Sequence, residues 1–248
     1  MSGHNKWSTI KHKKGKADAK RGKIFTKIIR EITTAAREGG GDPEGNPRLR
    51  SAIAAAKAAN MPSDNITKAI QRGTGELPGV AYEEVWYEGY GPGGVAVMLQ
   101  VLTDNRNRTT AEIRHLFGKH NGNLGENGCV SFLFRKQGYI MVPKSTAAED
   151  VVMEAALELG AEDFFGDDAE YFEIYTALED LHRIKSGLEA RGFEVEGAKL
   201  EMVPSTQVRL EDRQADQMIR LMEAFEDHDD VQNVWANFDI DAKLLQAS

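Results

Sequence analysis

The apolar residues of this 248-residue sequence change their spacing near residue 80, and that switch constrains the fold more than any other feature. Before it they recur every three to four residues: Ile24, Phe25, Ile28, Ile29 and Ile32, then Leu49, Ile53, Ala56 and Ala59, then Ile66, Ala69 and Ile70. Each set falls on one face of a helix. Gly39-Gly40-Gly41 ends the first helix, and Asn46 as cap with Pro47 in the first turn begins the second. The small residues on the second helix permit close packing. Asn60-Met61-Pro62-Ser63-Asp64 breaks the chain before the third helix, which stops at Gly73. Residues 23–79 are thus expected to form a small helical bundle ending in a linker at 74–79.

Beyond residue 80 the periods are those of strands alternating with helices. Segments 82–88 and 94–102 flank Gly89-Tyr90-Gly91-Pro92-Gly93, a hairpin signal with a longer loop. A helix at 109–120 and a strand at 129–134 follow. Residues 138–203 then read strand 139–142, helix 147–159, strands 163–165 and 169–176 around the turn Gly166-Asp167-Asp168, helix 178–190 and strand 194–202. This β-α-β-β-α-β order is ferredoxin-like. A strand at 207–210, a helix at 213–226 and a strand at 231–238 join the β-α-β of 94–134 to make a second unit of the same order. The expected fold is α+β: an N-terminal helical bundle followed by two ferredoxin-like α/β domains, one inserted in the other. The expected boundaries are a mobile basic arm at 1–22, the bundle at 23–79, a split domain at 80–136 plus 204–240, and the insertion at 137–203.

Charge divides along the same lines. Residues 1–72 hold 16 Lys/Arg and 6 Asp/Glu, a balance of +10, whereas residues 73–248 hold 15 and 33, a balance of −18. Such a partition suits a polyanion-binding arm carried on an acidic body. The first thirty residues contain ten Lys/Arg and one acid. Lys6, Lys11, His12, Lys13, Lys14, Lys16, Lys20, Arg21, Lys23 and Lys27 are the expected nucleic-acid contacts, binding phosphates with release of counterions. Trp7 lies among them and is expected either to stack on an unpaired base or to fold onto the bundle. Arg106 and Arg108 allow a secondary phosphate contact; alternatively Asp104 or Asn105 simply caps the helix that follows. Helices 47–59 and 64–72 flank a short turn as in a helix-turn-helix, but Asn65, Lys68, Gln71 and Arg72 are a thin set of base readers. The acidic body is expected to repel phosphates and to meet a protein partner instead.

Other classes find little support. Cys129 is the only cysteine, so neither an internal disulfide nor a Cys-rich zinc site can form, and its apolar surroundings suggest a buried, inert thiol. No apolar run approaches the roughly 18 residues of a membrane helix. The basic N-terminus lacks the apolar run of a secretory signal and reads as part of the mature protein. Gly89–Gly94 is not followed by a P-loop Lys-Ser/Thr and reads as a turn, and G-x-S-x-G and H-E-x-x-H do not occur. Glu226-Asp227-His228-Asp229-Asp230 reads as a solvated turn rather than a cation site, and His115 and His120 are poorly spaced to share a metal. The expectation is a cytoplasmic binding protein that is not an enzyme, with no catalytic residue, cofactor or metal.

Particular motifs sharpen this reading. They are Gly3-His4-Asn5-Lys6-Trp7-Ser8 with Lys11, Lys13-Lys14, Asp18, Arg21, Phe25 and Lys27; Asn60-Met61-Pro62, Asn65-Ile66, Ile70 and Gly73; Tyr87-Glu88-Gly89-Tyr90-Gly91-Pro92-Gly93-Gly94; and Thr103-Asp104-Asn105-Arg106-Asn107-Arg108-Thr109. With them the sequence closely resembles the YebC/PmpR family along essentially its whole length. The resemblance implies a helical N-terminal domain and two α/β domains. Members of that family are described as "probable" DNA-binding transcriptional regulators, mitochondrial relatives activate translation, and bacterial members have been tied to the ribosome. The implied partner is promoter DNA or, in the alternative, ribosomal RNA and the ribosome.

Overall fold

The computed structural model describes residues 18–240. By chain contacts they divide into two compact units, one at 132–207 and the other made of 18–131 with 208–240.

The larger unit begins with three helices, α1 (Asp18–Gly39), α2 (Pro47–Ala58) and α3 (Ser63–Thr74). α1 takes in residues 18–22, which carry no apolar period but include the good helix formers Ala, Lys and Arg. Gly40, at φ 84°, turns the chain out of α1. Asn46 then holds both helix ends: its side chain accepts from the Leu49 N–H (3.0 Å) and donates to the carbonyls of Ala35 (2.8 Å) and Gly40 (2.9 Å). α2 and α3 each pack on α1 around Ile32, Leu49, Ala52, Ala56, Ile66 and Ala69. They rest on α1 rather than forming the compact pair of a helix-turn-helix.

The same unit contains a four-stranded antiparallel sheet. Its strands are β1 (Glu83–Tyr90), β2 (Ala96–Thr103), β3 (Asn123–Leu124) and, from the far end of the chain, a strand at Val231–Ala236. α4 (Arg106–Lys119) joins β2 to β3, and a second helix at Asp212–Glu226 precedes the late strand. Both helices cover one face, where Val97, Leu99, Val101, Ile113, Phe117, Met222 and Phe225 make the core. Phe117 and Phe225 meet edge to face with centroids 4.7 Å apart.

The expected third strand at 129–134 does not exist. Residues 131–133 form a short 3-10 turn, and Glu88 supplies the reason. Its buried carboxylate accepts the N–H groups of Gly128, Val130 and Ser131, all at 2.8 Å, so those groups are satisfied without a strand partner. The edge place after α4 goes to the short β3 instead, and β1 lies between β2 and β3, in the inner place expected of 207–210. Residues 207–210 also leave the sheet. Their β8 (Val208–Arg209) pairs in parallel with β10 (Phe238–Asp239).

The unit at 132–207 follows the expected order closely. It runs β4 (Phe134–Pro143), α5 (Glu149–Glu158), β5 (Asp163–Phe165), β6 (Tyr171–Thr176), α6 (Leu181–Ala190) and β7 (Gly197–Pro204). The spatial order β5-β6-β4-β7, all antiparallel, is the split β-α-β pattern. Counting the remaining elements in chain order, the helix at Asp212–Glu226 is α7 and the strand at Val231–Ala236 is β9. The larger unit's sheet, β3-β1-β2-β9, has the same arrangement with β1 supplied from the N-terminal side. In the 132–207 unit Ile140, Val142, Val152, Ile174, Ile184 and Leu188 form the core beneath α5 and α6.

Gly73 sets how closely α3 approaches α1. A Cβ there would lie 2.5 Å from the Thr33 carbonyl oxygen and 2.7 Å from the Ala36 Cβ. Gly73→Val should therefore destabilise the protein by about 2 kcal/mol through overpacking. Valine is the cleaner probe because alanine would regain about 1 kcal/mol of helix propensity. Urea unfolding followed by circular dichroism measures the difference; a variant as stable as the parent would show that the crossing yields without cost.

Candidate nucleic-acid interface

The basic residues divide into those that the fold uses and those that it leaves to solvent. Lys23, Lys27 and Arg30 follow one another at i, i+4 and i+7, so they form a single stripe on α1. That stripe meets the C-terminal end of α7. Lys23 Nζ donates to the Asp227 carbonyl (3.1 Å) and Lys27 Nζ to the Glu226 carbonyl (2.6 Å). Carbonyls at a helix C-terminus lack intrahelical partners and carry the negative end of the helix dipole, which accounts for the cations there. Arg30 donates to the Leu102 carbonyl (3.0 Å), lies over the Tyr82 ring and pairs with Asp230.

Asp230 is the centre of this junction. Its carboxylate is buried in the turn between α7 and β9, where it accepts from Arg30, from Arg108 Nη2 (3.0 Å) and from the Thr109 hydroxyl (2.5 Å). Burial alone would raise its pKa, but the hydrogen bonds from Thr109, Arg30 and Arg108 outweigh that effect and hold it at about 2. Arg108 also pairs with Asp104 (2.7 Å), and Arg106 pairs with Glu83 (3.2 Å). Asn105 caps α4 by accepting the Arg108 N–H at 3.1 Å. The Asp230 and Asp104 hydrogen bonds push the Arg108 pKa further above its ordinary value. The open groove beside this junction, about 760 Å³, is lined by Lys23, Arg30 and Arg108 but also by Asp104, Glu112, Asp227, Asp229 and Asp230. Acids outnumber bases there, so the groove disfavours a phosphate.

A second tie lies along α1. Arg48 of α2 donates to Glu31 (2.7 Å), Glu38 (2.8 Å) and Glu84 of β1 (2.7 Å). It too is committed to carboxylates.

The remaining expected contacts are placed as follows. Lys6, Trp7, Lys11, His12, Lys13, Lys14 and Lys16 lie outside the described residues, while Lys20 and Arg21 fall in the first turns of α1, with side chains outside the description. On the bundle, Arg37, Lys57, Lys68 and Arg72 are exposed, and among the described residues none of them has a carboxylate within ion-pair distance. Lys68 and Arg72 are one turn apart on α3, so the two exposed cations stand on one side of that helix. Asn65 and Gln71, the other polar readers, are half-buried. Sequence reasoning had reason to weigh Lys68 and Arg72 as base readers; Arg37 and Lys57 carry no motif that would single them out.

Three other clusters bear on chemistry. Glu112, His228 and Asp230 bring their ligand atoms within 4.8 Å of one another. His228 Nδ1, however, accepts the Asp230 N–H (3.1 Å), which leaves the proton on Nε2, 3.0 Å from Glu112. Both ring nitrogens are thereby committed, and neither offers a lone pair to a metal. Cys129 is half-buried in the loop that Glu88 holds. Burial and then the Glu88 charge raise its pKa, so the thiol stays protonated and a poor nucleophile. In the 132–207 unit the buried Tyr139 hydroxyl donates to Glu173 (2.5 Å), whose pKa is raised chiefly by burial. No motif in the sequence marks that pair, which is assembled by the pairing of β4 with β6.

Comparison with known proteins agrees with this architecture. Residues 5–76 match the model of the TACO1/YebC protein N-terminal domain, and residues 82–238 match that of the TACO1/YebC second and third domain. A protein of Persephonella marina named "Probable transcriptional regulatory protein" is 58% identical over 247 residues, covering 99% of both chains. One of the same name from Desulfosudis oleivorans is 58% identical over 100% of each chain. The crystal structure of a conserved hypothetical protein from Aquifex aeolicus superposes with a TM-score of 0.83 at 53% identity, covering 91% of this chain and 93% of that one.

The Asp230 junction makes a prediction about acid stability. A carboxyl whose folded pKa lies below its unfolded value of about 3.9 contributes its full stabilisation above both values and loses it as pH falls through the folded one. With Asp230 at about 2, this stabilisation is present above about pH 4 and lost toward pH 2. It amounts to about 2 kcal/mol. Asp230→Asn should be less stable than the parent at pH 6, and the gap should narrow by about that amount as the pH is lowered to about 2. Denaturant unfolding across the range measures it; a constant gap would mean that the carboxylate is not specially stabilised.

Proposed function

Because this chain belongs to the TACO1/YebC family, we propose that it is a DNA-binding transcriptional regulator, which grips the phosphate backbone through its basic N-terminal segment. The motifs that suggested the family in the sequence are spread along the region that the family models match, and the relatives' names place them among regulators of gene expression. The observation that carries the reading is the charge partition, ten Lys/Arg and one acid in the first thirty residues against an acidic remainder. Geometry refines it. Lys23, Lys27, Arg106 and Arg108 meet carbonyls or carboxylates of the protein itself, so the phosphate contacts fall to Lys6, Lys11, His12, Lys13, Lys14, Lys16, Lys20 and Arg21, extended by Lys68 and Arg72 on α3. In this reading the protein works in the cytoplasm as a binding protein rather than an enzyme. Among the described residues no helix is long and apolar enough to cross a membrane.

A second reading, an RNA- or ribosome-associated translation factor, is favoured by one feature of the bundle. α3 presents two long cations and two half-buried amides, which suits phosphates better than base edges. Trp7 within the basic run would then stack on an unpaired base.

One binding experiment addresses both. With Lys11, Lys13, Lys14 and Lys16 all changed to Ala, the log–log salt dependence of binding should flatten by roughly 3–4 units. An unchanged slope would remove the arm from the interface. Trp7→Ala measured in parallel should weaken binding to a single strand or RNA loop by about 1–3 kcal/mol and binding to duplex DNA much less if the RNA reading holds. Equal losses on both would mean that the indole packs on the protein, and would count against the RNA reading.

A further inference from the structure

The most one-sided charge on the molecule lies in the 132–207 unit, far along the sequence from the basic arm. Residues 145–182 contain 12 Asp/Glu and no Lys or Arg. α5 lies at the start of that stretch and reads Glu149-Asp150-Val151-Val152-Met153-Glu154-Ala155-Ala156-Leu157-Glu158. Its inward side, Val152, Ala155 and Ala156, is buried in the core of the unit. Its outward side is not simply polar. Asp150, Met153, Glu154 and Leu157 stand at i, i+3, i+4 and i+7, so two apolar and two acidic side chains share one exposed stripe. Met153 is 37% exposed and Leu157 51%, and Val151, on the other flank of the outward side, is 53% exposed.

A single exposed Leu or Val is ordinary, but three on a ten-residue helix ringed by carboxylates are not. The carboxylates also lack neutralising neighbours. Of the four acids on α5, Glu158 meets Arg191 at 2.8 Å. Among the described residues, Glu149, Asp150 and Glu154 have no Lys or Arg within ion-pair distance. Arg183, the other cation at that end of the helix, is occupied by Asp180 (2.8 Å) and the Leu159 carbonyl (2.7 Å).

We propose that the outward face of α5 is a docking surface for a cationic amphipathic helix of a partner protein, with apolar side chains one turn apart and Lys or Arg beside them. The apolar residues would pack on Met153 and Leu157, as helix faces pack in recognition. The cations would pair with Asp150, Glu154 and Glu149. Charge selects the occupant. A nucleic acid is repelled, and a second copy of the same face would oppose like charges. A basic helix neutralises the carboxylates and buries the apolar stripe in one step. The proposal does not depend on which nucleic acid the arm binds.

The test uses the full chain. The probe is a synthetic peptide of about 20 residues built from Leu and Lys, with Leu at i, i+3, i+4 and i+7, long enough to be helical. A peptide of the same composition in shuffled order is the control. Binding is read by fluorescence anisotropy. The ordered peptide should bind saturably in the micromolar range, at least about tenfold more tightly than the shuffled one. Met153→Ser with Leu157→Ser should weaken it about tenfold, as should Asp150→Asn with Glu154→Gln. These positions are exposed, so the variants should unfold at the parental temperature and keep parental nucleic-acid binding. Equal affinity for the two peptides, affinity untouched by the variants or no saturable binding would overturn the proposal. So would tighter binding of a peptide of residues 1–17 to the same face, which would make the chain's own arm the occupant. A dimer that the Met153/Leu157 variant abolishes in sedimentation would overturn it in favour of a second copy.

Discussion

The larger unit is organised around one buried carboxylate. Asp230 sits where α7 turns into β9, and it draws Arg30 from α1 and Arg108 with Thr109 from α4 to the same point. Its backbone carbonyl meanwhile accepts the Leu102 N–H at 2.9 Å, which pins the end of β2. A carboxylate this deeply buried must be paired, and removing its partners would leave an uncompensated charge. The junction therefore fixes the helical bundle to the α/β domain, and with it the direction in which α1 leads back toward the basic arm.

That constraint explains why a basic helix can belong to an acidic body. The side of α1 bearing Lys23, Lys27 and Arg30 is complementary to the C-terminal end of α7 with Asp227 and Asp230. Arg48 performs the same service on another side, with Glu31, Glu38 and Glu84. Cations near the body are thus internally neutralised. Among the described residues, Lys68 and Arg72 on α3 have no such duty; in the proposed reading they extend the phosphate contacts of the basic arm. In the 132–207 unit the stretch 145–182, with 12 Asp/Glu and no Lys or Arg, disfavours nucleic acid and in the proposed reading remains open to protein.

Much of this was legible in the sequence, and the failures share a cause. Three bundle helices, the Asn46 cap, the strand at Asp163–Phe165 and the β-α-β-β-α-β order of the inserted unit all follow from local period and local turn chemistry. Segment 129–134 looked like a strand because it is apolar. It is a loop because Glu88, about forty residues earlier, satisfies its N–H groups. β1 occupies the place given to the strand at 207–210 because strand order is decided by long-range pairing, which no window of sequence contains. Contacts of the same long-range kind run through the candidate site. Lys23 and Lys27 look like the end of a phosphate-binding run, yet their acceptors are backbone carbonyls about two hundred residues away. Backbone acceptors at a helix end have no signature in side-chain composition. Arg106 and Arg108 likewise find partners in Glu83, Asp104 and Asp230.

The central claim is that cations of the arm meet nucleic acid while those at the α1–α7 junction serve the fold. Amine-reactive labelling of the intact protein, with and without a bound RNA stem-loop or duplex DNA, reads each lysine separately by mass spectrometry. Lys6, Lys11, Lys13, Lys14 and Lys16 should lose reactivity in the complex, and Lys23 and Lys27 should label as they do in the free protein. Arm lysines that stay reactive while Lys23, Lys27 or the lysines of the 132–207 unit become protected would contradict the account.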